Sequence, residues 1–154
     1  MPGQRVLLPY NFTTYDERAL EFVIRTFSTL EEVEVTLFNA YTPLPEVDLN
    51  GSPVMDKLKS NLTYLSQKIK EQENWLKLAK QRLVEKGFSE DQVKCIFKPR
   101  KKDISSEIID LVASGGYDLI VINRKPGKVT RFFTGSVLNK VASALKDTVI
   151  CLVT

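Results

Sequence analysis

The chain has 154 residues, enough for one domain, spanning 1–154, with a sizeable hydrophobic core. Its 43% hydrophobic and 27% charged composition is that of an ordinary globular protein, and no apolar run nears the roughly 20 residues that span a bilayer. A net charge of +3 is too mild to indicate nucleic acid binding, and the absence of histidine removes the commonest general base and metal ligand together.

Strand and helix patterns alternate from end to end. The opening MPGQR leads straight into RVLLPYN (5–11), a continuous apolar run of the kind buried on both faces of a sheet, so no export signal is expected and the location reads as cytoplasmic. In TTYDERALEFVIRTF, Thr14 and Glu17 are spaced as a capping box, and Ala19, Phe22, Val23 and Phe27 share a helical face. VEVTLFNAY (33–41) is a second strand, followed by a loop that Ser52-Pro53 closes as a helix start. Residues 54–86 form the longest element. Leu58, Leu62, Leu65, Ile69, Gln72, Leu76, Ala79 and Leu83 recur in alternating steps of four and three, which predicts a helix packed on a sheet. Its length of about 48 Å exceeds a compact domain of this size, so a kink or an overhang is expected.

QVKCIFKP (92–99) is a third strand and DISSEIIDLVAS a third helix, with Asp103 as its N-cap. The Gly115-Gly116 pair in SGGYD leads from helix into strand, which reads as a helix stop rather than a pyrophosphate loop. YDLIVIN (117–123), GSVLNKVASALKD and TVICLVT supply a fourth strand, a fourth helix and a fifth strand. Cys95 and Cys151 offer neither a disulfide framework nor metal-ligand spacing, and inside strand runs both are expected to be buried and inert. The alternation defines an α/β protein with a parallel sheet covered on both faces, whose ligands bind at the carboxyl edge of the strands.

The connections meeting at that edge carry Lys98, Arg100, Lys101, Lys102, Arg124, Lys125, Lys128 and Arg131 against Glu46, Asp48 and Asp103, an excess that favours an anionic small molecule. Between the fourth strand and helix lies RKPGKVTRFFTGSV. Gly135 and Ser136 open that helix, where free amide N–H groups and the positive dipole end attract anions, and Gly127 allows the loop a close approach. The spacing is not that of a Walker loop.

Three stretches together resemble the universal stress protein family: VLLPYNFTTYDERAL, DISSEIIDLVASGGYDLIVIN and, most specifically, RFFTGSVLNKVASALKDTVICLV. The resemblance covers nearly the whole chain. It implies a flavodoxin-like, Rossmann-like open sheet of five parallel strands in the order 3-2-1-4-5, and a cytoplasmic stress-response protein that dimerises through its last strand. It further implies a site for ATP, with Mg, or for AMP. In that site Pro9, Ala40 and the Gly135-Ser136-Val137 step retain the family pattern, and Thr13 and Ile122 flank it. Asn11 replaces the family's acid. The first motif glycine falls on Asn123 and the second on Lys125 or Pro126, after Arg124, in a loop one residue short. Asparagine keeps hydrogen-bonding capacity without charge, whereas proline has no N–H to offer. The expectation is therefore an adenine-nucleotide-responsive binding protein with a degenerate phosphate loop. The alternative is a dimeric interaction protein with a vestigial pocket. With no histidine and no catalytic or metal constellation to name, an enzyme is not expected, slow ATPase activity being a minor third reading. Neither nucleic acid nor membrane is an expected partner.

Overall fold

The computed structural model describes residues 3–45, 55–123 and 137–154. Strands β1 (Arg5–Pro9), β2 (Glu34–Tyr41), β3 (Val93–Pro99), β4 (Leu119–Asn123) and β5 (Val149–Val153) alternate with helices α1 (Thr14–Phe27), α2 (Met55–Glu85), α3 (Ile104–Gly115) and α4 (Val137–Ala144). All strand pairs are parallel, in the order β3-β2-β1-β4-β5. This is the expected sheet.

The strand pleat sorts the core into two layers. Val6, Leu8, Val35, Leu37, Leu119 and Val121 meet Leu20, Val23 and Phe27 of α1 and Leu76, Ala79 and Leu83 of α2. The alternate residues Leu7, Phe38, Ala40, Ile120 and Ile122 meet Ile108 and Val112 of α3 and Val141 of α4. Right-handed crossovers require this division, because the sheet grows one way from β1 through β2 to β3 and the other way through β4 to β5.

Local chemistry sets the helix ends. The N-cap of α1 is Thr13, not Thr14, and the capping box pairs it with Asp16 rather than placing Glu17 in that role. Glu17 instead joins Glu21 in binding Arg82 of α2. Asp103 caps α3 as expected, accepting from the Ser106 N–H at 2.8 Å. Gly116 ends α3 with φ 65°, a left-handed conformation that glycine adopts without a Cβ penalty.

The long helix is continuous from Met55 to Glu85 and overhangs its support. From Asp56 to Trp75 no side chain is buried, and only Leu76, Ala79 and Leu83 of the stripe enter the core. The two cysteines depart from expectation as well: Cys95 is exposed and Cys151 only half-buried, because β3 and β5 are the sheet's outer strands. The proposed helix start at Ser52-Pro53 lies outside the described residues. Leu83→Ala should cost about 3 kcal/mol in urea unfolding, whereas Leu58→Ala on the overhang should cost under about 1 kcal/mol.

Candidate functional site

Where the sheet's growth reverses, between β1 and β4, neither helix layer covers the carboxyl ends of the strands. A cavity of about 510 Å³ opens there. Pro9, Asn11, Thr13, Ala40, Ile122, Asn123 and Val137 line it, each named from the sequence as a site residue. The others, Arg124, Lys125, Gly127, Gly135 and Ser136, lie outside the described residues. Phe38, Ile104, Ile108 and Ile122 make one wall apolar, while Asn11, Asp16, Asn39 and Asn123 bring polar groups to the other. A volume in the range of small-molecule sites, apolar walls and a few convergent polar groups are the attributes of a binding pocket.

The β1–α1 turn shapes its floor. The Tyr10 N–H extends the β1–β2 ladder by bonding the Phe38 carbonyl at 2.8 Å. Phe12 follows with φ 62°, a left-handed conformation uncommon outside glycine, and its ring is braced edge-on between Tyr10 and Trp75. Trp75 thus packs against the turn, although it is itself half exposed. Burial and donation of its hydroxyl to Glu17 both push the Tyr10 phenol far up, so it remains a donor.

Two residues absent from the expected set hold the polar wall. Asn39 donates from Nδ2 to the Tyr10 carbonyl at 2.9 Å and, at 3.5 Å, to Asn11 Oδ1. Its own Oδ1 is buried with no hydrogen-bond partner among the described residues, leaving an acceptor unmatched. Asp16, only 2% exposed, accepts from the Thr13 N–H at 3.0 Å and the Thr13 hydroxyl at 2.6 Å, and its other oxygen accepts from Asn123 Nδ2. A carboxylate of α1 is thereby tied to the end of β4. Its one signal in the sequence was its position three residues after Thr13, once that residue is taken as the cap.

Of the cations expected at this edge, Arg124, Lys125, Lys128 and Arg131 lie outside the described residues. Lys98 pairs with Glu107 at 3.1 Å and Lys102 with Asp110 at 2.8 Å, both on α3. Among the described cations, Arg100 lines the cavity, donating to the Thr42 hydroxyl at 3.4 Å. Glu107 is nearly buried and also accepts from the Lys101 and Lys102 N–H groups at 3.0 and 3.1 Å. Burial opposes its charge, but those amide bonds and the Lys98 ammonium together hold its carboxyl below the ordinary range.

The universal stress protein family pattern matches residues 3–152, and the chain belongs to that family. No curated protein sequence matches it. Among solved structures, it is similar to the hypothetical protein MJ0577, with 22% identity and a TM-score of 0.68 over 99% of this chain and 96% of that one. It is similar, at 15% identity and a TM-score of 0.65, to a universal stress protein in complex with cAMP, over 100% of this chain and 98% of that one. An Archaeoglobus fulgidus universal stress protein in complex with dAMP matches at 14% identity and a TM-score of 0.60, covering 100% of both chains.

The lowered acidity of Glu107 has a direction in pH. Its folded-state value lies below the ordinary 4.5, so its contribution to stability is complete above that value and is lost as pH falls through the folded-state value. Urea melts between about pH 3 and pH 6 should show a shallower acid loss of stability in Glu107→Gln than in the parent chain.

Proposed function

We propose that this chain is a stress-response binding protein that takes an adenine nucleotide, AMP or ATP with Mg, in the cavity at the carboxyl ends of β1, β2 and β4. One observation carries the reading: residues 9, 11, 13, 40, 122, 123 and 137 converge on one pocket of suitable size. The complexes of two structural neighbours with cAMP and dAMP support the choice of ligand class. Phe38, Ala40, Ile104 and Ile108 supply an apolar slot for a base, and Asn11 offers a neutral hydrogen-bonding group at the place of the family's acid. Phosphate is assigned in this proposal to the Gly135-Ser136 step, which immediately precedes α4 in the sequence. Among the described residues no three potential ligands cluster around a metal position, so Mg would arrive with the nucleotide. Binding rather than catalysis is the proposed role, within one domain and in the cytoplasm.

The protein carried without added nucleotide through purification should release an adenine compound on denaturation, detected by mass spectrometry. Calorimetry should then show saturable binding that Asn11→Leu weakens roughly fivefold, as for one neutral hydrogen bond. Absence of heat with AMP, ATP and cAMP alike would overturn the reading.

Assembly into a homodimer through β5 is the second element of the proposal. β5 is an outer strand of the sheet, and it leaves Val149 59% and Leu152 39% exposed. An apolar strand with a free edge is an aggregation hazard that a partner strand removes. Sedimentation velocity should find a dimer that Val149→Lys with Leu152→Lys converts to monomer.

A further inference from the structure

The cavity's polar wall sets a carboxylate and, among the described residues, an unmatched carbonyl oxygen beside its amide donors, and neither of those two suits a phosphate. Asp16 brings a carboxylate, Asn39 brings an unmatched Oδ1, and Asn11 turns its Oδ1 toward Asn39. Asn123 stands at the first motif glycine, and its Nδ2 is already committed to Asp16. One of the two N–H donors of the Asn123 amide is therefore given to the protein's own carboxylate.

We infer that Asp16 is a specificity residue that biases this pocket away from phosphoryl charge, toward adenosine and its less highly charged derivatives and against ATP. The inference rests on the adenine-binding reading above. The carboxylate is nearly inaccessible to water, so its field acts on a ligand in the pocket with little screening. Its three protein donors, the Thr13 N–H and hydroxyl and the Asn123 amide, keep it in place beside the cavity. Of the described cations nearby, Lys98 and Lys102 are bound to carboxylates of α3, and Arg100 lines the cavity while donating to the Thr42 hydroxyl. Asn39 Oδ1 and the acidic wall instead suit a ligand that donates hydrogen bonds, as ribose hydroxyls and an exocyclic amine do.

Replacement of Asp16 by asparagine keeps the size and one acceptor oxygen for Thr13 and removes the charge, and the Asn123 amide can turn its Oδ1 to meet the new Nδ2. The test is the ratio of ATP to adenosine dissociation constants, measured by calorimetry at one fixed salt concentration. Asp16→Asn should shift that ratio toward ATP by about tenfold, the size expected of one weakly screened charge. Asp16→Ser, which keeps a cap acceptor for Thr13, should shift it the same way, and thermal melts establish that each variant is folded. A purely structural role would lower the melting temperature and leave the ratio fixed, which overturns the inference while nucleotide binding stands. Failure of the parent chain to bind either compound overturns the binding reading and this inference together.

Discussion

Right-handed crossovers built on a strand that starts in the middle of the sheet govern everything that follows. Because β2 and β3 are laid down on one side of β1, and β4 and β5 on the other, α1 and α2 must cover one face and α3 and α4 the opposite face. The two helix layers diverge over the β1–β4 junction, so the strand ends there stay open. The cavity is a by-product of that topology, and the residues around it are whatever the ends of β1, β2 and β4 and the start of α1 carry. Here they carry amides and a carboxylate.

Asp16 links fold and site in one side chain. It completes the α1 capping box with Thr13 and reaches across the junction to Asn123 on β4. A glycine at 123 would have no side-chain amide to donate that bond. The amide at 123 and the buried acid at 16 are thus two halves of one contact, set beside the cavity that both residues line. Among the described residues, Lys98 and Lys102 are held by Glu107 and Asp110, while Arg100 lines the cavity. Glu107 in particular gathers two backbone amides and an ammonium to fix the connection between β3 and α3.

The long helix shows how one spacing serves two surroundings. Its apolar stripe keeps the same alternation of four and three from Leu58 to Leu83, yet burial begins only at Leu76. The sheet is simply too short to support the rest. Arg82, at the supported end, binds Glu17 and Glu21 and so locks α2 to α1 beside the turn that carries Phe12.

The alternation of strand and helix, the parallel sheet, the Asp103 cap and the glycine stop at 116 were all legible in the sequence, because each depends on residues close together along the chain. So was the meeting of Pro9, Asn11, Thr13, Ala40, Ile122, Asn123 and Val137 at one cavity, which follows once strand ends are known to share an edge. Tertiary structure alone decided which Thr caps α1, since Thr13 and Thr14 both precede an acid at the required spacing and only the direction of entry from β1 separates them. It also decided that Asp16 meets Asn123, that Asn39 Oδ1 is unmatched among the described residues, that Lys98 and Lys102 turn to α3, and that Cys95 lies exposed. These depend on groups far apart in sequence reaching the same few ångströms of space, and no local periodicity records which of several possible partners arrives there.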